Sequence, residues 1–235
     1  MNQSTERVLI TGGASGIGAA IAERCRQDGY QPVIIDQIGD GIQADLSKPD
    51  ETAEALRLAL ADGPITRLVN NVGIICPASI EEQTNEELER VWQLHVRCAM
   101  QCTQALLPSM KEAGFGRIVN MSSRASLGKE LRTAYAGAKA SLIAMARVWA
   151  LELGTYGITA NAIGPGPIMT ELWRKGNPPG SKRTQAIIDS VPVKRVGTPE
   201  DVAHAAAFLM HKDSGFVTGQ VLYVCGGITV STAPL

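Results

Sequence analysis

Aromatic residues are scarce in this 235-residue chain: three Trp, four Tyr and three Phe make up 4% of it. The interior must then be built from Ala, Val, Ile and Leu, in elements that approach closely, which favours layered packing of helices on a sheet. A surplus of charge of either sign is missing as well. Lys and Arg number 22 against 23 Asp and Glu, so the chain offers no basic face of the extent that nucleic-acid binding uses. No run of about 18 apolar residues is present to span a bilayer. The opening MNQSTERVLITGG lacks the basic start and apolar stretch of a secretory leader. Five cysteines, Cys25, Cys76, Cys98, Cys102 and Cys225, are odd in number and form no CxxC pair, the usage of reduced thiols inside a cell. These absences predict a soluble cytoplasmic protein with neither nucleic-acid nor membrane partners.

What the chain does have is a recurring unit. Short, β-branched apolar runs at 8–11, 32–36, 41–45, 67–71, 117–123, 158–164 and 220–227 show the near-continuous apolarity of strands covered on both faces. Helical spacing fills 16–28, 50–61, 85–113, 134–154 and 199–211. The alternation predicts one α/β domain over 1–235, a doubly wound and mostly parallel seven-stranded sheet with helices on both faces. Only QIGDG separates the second run from the third, too little for a helical crossover. Residues 165–198, rich in Pro, Gly and basic side chains, read as a long loop of the kind that serves as a substrate-binding lid.

The segment VLITGGASGIG is strand, glycine turn and helix in succession. Gly12, Gly16 and Gly18 allow the backbone to turn sharply and approach a pyrophosphate seated on the positive end of the helix that follows. Asp36 ends the next strand 18 residues after Gly18, where a carboxylate accepts both hydrogen bonds of an adenosine ribose diol and repels a 2′-phosphate. No Arg or Lys lies in the turn or directly after Asp36 to neutralise such a phosphate, so the expected cofactor is NAD rather than NADP. Asp45, before Leu46, is placed to meet the adenine.

In TAYAGAKA, Tyr135 and Lys139 stand four apart among small residues, on one face of a helix with Cβ atoms about 5–6 Å apart. A phenol with a pKa of about 10 is a poor base at neutral pH. An ammonium about 4 Å away, at an effective dielectric of about 20, contributes roughly 4 kcal/mol and is expected to bring the phenol down by as much as about three pKa units. Tyr135 then becomes a proton carrier for a substrate hydroxyl, with Ser123 at the end of the fifth strand as a second hydrogen-bonding partner. Ser123 as a nucleophile is disfavoured, since no GxSxG elbow surrounds it and no histidine has a triad context. His95, Cys98 and Cys102 share a helical face, but no fourth ligand is identifiable and no metal is expected.

Taken in order, these residues resemble the short-chain dehydrogenase/reductase family over nearly the whole chain. TGGASGIG is similar to its TGxxxGxG cofactor motif, NNVG (70–73) to its NNAG, Ser123 with Tyr135 and Lys139 to its catalytic serine and YxxxK, and NAIGPGPIMT (161–170) to the segment over the nicotinamide. The resemblance implies a Rossmann-like fold and hydride transfer between NAD and a small alcohol or ketone. It implies catalytic roles for Ser123, Tyr135, Lys139 and His95, the last standing where the family has an asparagine whose carbonyl holds a relay water. It also implies cofactor contacts from Gly12, Ser15, Gly16, Ile17, Gly18, Asp36, Asp45, Leu46, Asn71, Gly73, Tyr135, Lys139, Pro165, Gly166, Ile168 and Thr170, and a homotetramer, or else a homodimer. Cys225 replaces a common aspartate, with a packing role expected. A protein that binds NAD as a sensor without turnover is the rival reading, but it has no use for the proton-transfer groups.

Overall fold

A computed structural model describes residues 6–230. The apolar runs form β1 (Arg7–Thr11), β2 (Gln31–Asp36), β3 (Ile42–Gln43), β4 (Arg67–Asn70), β5 (Gly116–Met121), β6 (Ile158–Pro165) and β7 (Val221–Val224). They pair in the order β3-β2-β1-β4-β5-β6-β7, and every pair is parallel. The sheet is therefore wholly parallel rather than mostly so. β1, β4, β5 and β6 are buried along their whole length, because helices cover both faces.

One face carries α1 (Gly16–Gln27) and α8 (Pro199–Met210), which bury Ile21, Cys25, Val202, Ala206 and Leu209 against Val8, Ile10, Val69 and Val119. The other carries α2 (Pro49–Ala61), α4 (Cys98–Ala113) and α5 (Thr133–Leu153), which bury Leu56, Cys102, Leu106 and Leu153 against Leu9, Leu68 and Ile118. Pro49 at the start of α2 has no N–H to satisfy, and Asp50 and Glu51 complement the positive helix end.

Three elements differ from the sequence expectation. The third strand is two residues long, since the trimmed connection gives it nothing more to pair with. The long helix at 85–113 is α3 (Asn85–Trp92) and α4 joined by a π-helical turn, Gln93–Arg97; such a turn inserts a residue into the ladder, and nothing in the local sequence signals it. The segment 165–198 is not one loop. It holds α6 (Glu171–Gly176) and α7 (Lys182–Ser190), capped by the side chains of Thr170 and Ser181, and the bridge between Ile168 and Gly197 closes its base.

Candidate active site

The strand ends converge on the carboxyl edge of the sheet. Gly12 and Gly16 take positive φ, and a Cβ on Gly18 would fall 2.0 Å from the Gly12 carbonyl oxygen, so the turn closes on itself only with glycine there. Ser15 precedes α1 with its side chain free of any capping bond, and the first turn of α1 holds no acid. The positive end of this helix is thus open to an anion. Asn71 locks the turn in place, its Nδ2 donating to the Thr11 and Gly12 carbonyls at 3.0 and 2.9 Å. Ile17 is half-buried and packs into the core behind the turn. Thr170 lies across from the turn, its Cγ2 3.3 Å from where a Gly16 Cβ would stand.

Asp36 reaches back to the same turn. Oδ2 accepts from the Ala14 N–H at 3.0 Å and Oδ1 from the Gln37 and Ile38 N–H groups at 2.7 and 3.4 Å, which leaves Oδ2 a lone pair for a further donor. Asp45 is used locally instead: Oδ1 accepts from the Ser47 N–H and hydroxyl at 3.0 and 2.6 Å, and these bonds hold its carboxyl below its ordinary pKa. The Leu46 side chain is 2% exposed and belongs to the core.

β5 and α5 bring the proton-transfer groups together. Ser123 opens a short 3-10 turn (Arg124–Leu127), its Oγ accepting from the Ala125 N–H at 3.1 Å. Lys139 is 3% exposed, and its Nζ donates to the Met121 carbonyl at 2.7 Å. The Ser122 hydroxyl ties the Lys139 carbonyl to the same strand end at 2.7 Å, and Asn120, buried, bridges Asn70 on β4 to the Leu142 carbonyl on α5. Asn120 and the positioning role of Ser122 had no sequence signal beyond the polar ending of an apolar run.

Electrostatics here run against the sequence expectation. Burial pushes the Tyr135 phenol up, and hydrogen bonding to Ser123 and the Arg132 charge only partly oppose it. Burial also takes Lys139 down to about 7. Nζ lies 5.7 Å from the centre of the phenol ring, and desolvation of both groups outweighs their attraction.

His95 sits in the π-turn. Its Nε2 accepts from the Ile74 N–H at 2.9 Å and lies 3.1 Å from the Ile74 carbonyl, while its ring meets Tyr135 edge-on, centroids 5.7 Å apart. Burial and the charge of Lys139 hold its pKa well below the usual histidine value. The imidazole is therefore neutral. Gly73 fits between these groups because it has no side chain: a Cβ would stand 2.7 Å from His95 Cε1 and 3.3 Å from Lys139 Nζ. Cys98 and Cys102, with sulfurs 3.9 Å apart, face the core. Among the described residues no group of three His, Cys, Asp or Glu side chains is placed to hold a metal ion.

The far rim is built by the turn after β6. Pro165 ends the strand, Gly166 packs where a Cβ would touch Cys225 at 2.8 Å, Ile168 is buried with its carbonyl accepting from the Thr170 N–H at 2.8 Å, and the Cys225 thiol lies 3.2 Å from the Thr229 hydroxyl.

A wholly parallel sheet with a glycine turn, a strand-end carboxylate and a Ser, Tyr and Lys cluster defines a dinucleotide-binding α/β protein. A family model described as enoyl-(acyl carrier protein) reductase matches residues 12–229, and the chain belongs to the short-chain dehydrogenase/reductase family. It is 36% identical over 237 residues to the dehydrogenase subunit BbsD of Thauera aromatica, which acts on a hydroxy(phenyl)methyl-succinyl-CoA, with 93% of this chain and 94% of BbsD covered. It is 34% identical over 230 residues to the 3-oxoacyl-(acyl-carrier-protein) reductase MabA of Mycobacterium tuberculosis, with 94% and 92% covered. Among solved structures, a blue fluorescent protein from a metagenomic library in complex with NADPH superposes with a TM-score of 0.87 at 32% identity, covering 97% of this chain and 99% of that one.

Proposed function

We propose that this oxidoreductase transfers a hydride between NAD(H) and the carbinol or carbonyl carbon of a small alcohol or ketone, with Tyr135 as the acid/base. The observation that carries the reading is the meeting of Ser123, Tyr135 and Lys139 beside Gly73, at the edge where the glycine turn opens. The nicotinamide ring, when bound, supplies or receives the hydride. In the reducing direction Tyr135 Oη gives its proton to the substrate oxygen as the carbonyl carbon gains the hydride; Ser123 Oγ hydrogen-bonds that oxygen and, with the Arg132 charge, opposes the rise that burial imposes on the phenol, while Lys139 stands beside the phenol and would contact the cofactor. Gly12, Ser15, Gly16, Gly18, Asn71 and Thr170 frame the phosphates, Asp36 the ribose, and Pro165, Gly166 and Ile168 the nicotinamide side. Asp45 retains Oδ2 for the adenine. Residues 165–198 serve as the lid.

NAD is favoured over NADP because Asp36 presents a carboxylate where a 2′-phosphate would sit, although a structural relative holds NADPH. Two measurements test the reading. NADH absorbance with a panel of ketones and alcohols reads turnover, and Tyr135→Phe is expected to lose a factor of about 10²–10⁴ on every substrate used; a variant equal to wild type removes the acid/base role. The ratio of kcat/KM for NADH and NADPH reads Asp36, and a preference for NADPH overturns its assignment.

A further inference from the structure

Behind the turn after β6 lies a cavity of about 470 Å³, walled by Pro167 and Ile168 of that turn, Val193 from the stretch after α7, Phe208 of α8, and Leu222 and Cys225 from β7 and its end. Its inner wall is the segment assigned above to the nicotinamide side. Gly197, which also borders the cavity, clasps that segment, accepting from the Met169 N–H at 2.8 Å and donating to the Pro167 carbonyl at 3.0 Å. A hole there leaves the segment without packing on its outer side, where protein interiors are otherwise filled. The charges around the hole are closed on one another. Arg195 meets both oxygens of Asp201 at 2.5 and 3.0 Å, and His204 meets Arg24, whose Nε is held by Asp28 at 2.9 Å. A charged ligand finds no unpaired partner among these groups, so the complementary occupant is neutral and apolar.

The mouth is apolar as well, with Val193, Phe208 and Leu222 exposed. β7 is the last strand of the sheet, and QVLYVC carries no charge or proline to protect that edge; unprotected apolar edges are where chains associate. One residue nearby has the matching shape. Phe216 is completely exposed, yet its backbone is fixed: the Val217 N–H donates to the Ser214 carbonyl at 3.1 Å, and the Val217 carbonyl accepts from Asn161 Nδ2 at 2.7 Å. The Ser214 hydroxyl in turn donates to the Phe208 carbonyl, which ties the turn to the helix that lines the cavity. A ring held rigidly in water is the form of an aromatic anchor. Phe216 precedes β7 at its amino end, whereas the cavity lies toward its carboxyl end. A two-fold axis crossing β7 sets the amino end of one copy against the carboxyl end of the other, so both contacts form at once. Phe216, Phe208, Leu222 and Val193 together expose roughly 400 Å² of apolar surface. At an apolar share of about 60% this implies about 650 Å² per copy, within the range of about 600–1,000 Å² found in stable contacts.

We propose that the partner subunit's Phe216 fills this cavity in a two-fold dimer of the chain, and that each copy thereby braces the nicotinamide segment of the other. The cofactor site is then complete only in the assembled protein. Assembly and cofactor binding are linked, each favouring the other by the same factor. The inference goes beyond the reaction proposed above and rests on that reading for where the nicotinamide lies.

The test compares the wild-type chain with Phe216→Ser, checked for an unchanged circular dichroism spectrum, and with Phe216→Leu, all at micromolar concentration. Three quantities are read: mass by light scattering, the rate at which iodoacetamide alkylates Cys225, followed by peptide mass, and NADH affinity by fluorescence. Phe216→Ser is expected to halve the mass, to speed alkylation of Cys225 at least tenfold and to raise the Kd for NADH at least fivefold, and Phe216→Leu to restore most of each. A wild-type monomer, or a Phe216→Ser chain with wild-type mass, overturns the proposal. A halved mass with Cys225 reacting as before shows that the cavity has another occupant or none, and a small molecule released from the wild-type chain in native mass spectrometry, with Cys225 reacting faster once it has left, identifies one; either result overturns the proposal. So does a halved mass with NADH affinity unchanged. A wild-type chain that binds no NADH, while mass and Cys225 respond to Phe216→Ser as expected, overturns the function proposed above and leaves the contact between copies standing.

Discussion

With one carbonyl as its partner and almost no exposure, Lys139 is held by burial at a pKa of about 7. The unfolded lysine binds its proton up to about pH 10.5, so between pH 7 and that value the unfolded state holds more protons and stability rises with pH. Below pH 7 the folded chain carries the full cost of a buried ammonium. Lys139→Met removes that cost and keeps the volume, so its melting temperature is expected to exceed wild type by about 5 °C at pH 6, by less at pH 9, with turnover lost; a variant that melts lower at pH 6 shows that the lysine stabilises the fold. His95 is the complementary case. Its ring is neutral throughout the working range and its visible task is to hold Ile74, so His95→Asn, which can both accept and donate there, is expected to leave the pH profile of kcat unchanged between pH 6 and 9. His95→Leu strands the Ile74 N–H and is expected to lower kcat about tenfold. A limb of the profile that disappears in the asparagine variant would give His95 a proton-relay role of its own.

At the scale of elements, β4 begins on a buried arginine, Arg67, which pairs in register with a second, Arg117, one residue into β5, and both arginines end at the carboxyl terminus of α8. Arg67 donates from Nε to the Met210 carbonyl at 3.0 Å, its guanidinium held between the rings of Tyr30 and Phe115 at 4.4 and 4.7 Å. Arg117 donates to the His211 and Lys212 carbonyls at 3.1 and 2.9 Å. Cations at the negative end of a helix and over aromatic faces are both favourable. The ion pair of Arg67 with Glu6 adds little, since Glu6 is largely exposed. Arg67→Ala is expected to cost about 3 kcal/mol in urea denaturation, and Arg67→Lys to recover only a small part, because an ammonium does not stack as a plane between two rings; full recovery would mean that charge alone matters. These arginines were illegible in the sequence, where a charge flanking an apolar run reads as its exposed end. The strands themselves were legible because cover on both faces leaves an unbroken apolar run. The Tyr135 and Lys139 pair was legible because helical spacing is local. The direction of the Tyr135 shift was not, for burial is a tertiary property, and neither was the π-turn, whose residues Gln93–Arg97 differ in no way from those of an ordinary helix. Pro108 shows the converse, a breaker residue that α4 accommodates.

The whole molecule leaves apolar surface uncovered on two sides. On the side of α4 and α5, Met100, Val148 and Leu151 are exposed, Leu151 by 85%; on the side of α8 and β7, Phe208, Leu222 and Phe216 are exposed, Phe216 completely. These helices cover opposite faces of the sheet, so the two patches cannot belong to one contact. Two separate self-complementary contacts generate a closed tetramer with dihedral symmetry, whereas one alone stops at a dimer. Light scattering at micromolar concentration is expected to give about four times the 24.9 kDa of the chain. Leu151→Glu separates the alternatives, because an exposed residue on a monomer tolerates such a change within about 0.5 kcal/mol, while a charge buried at a contact does not. The variant is expected to scatter as a dimer held by the α8 and β7 side, with its circular dichroism unchanged, and Phe208→Glu to leave a dimer held by the α4 and α5 side. A wild-type chain that scatters as a monomer, or variants that keep the wild-type mass, would show that these patches face solvent or some other partner.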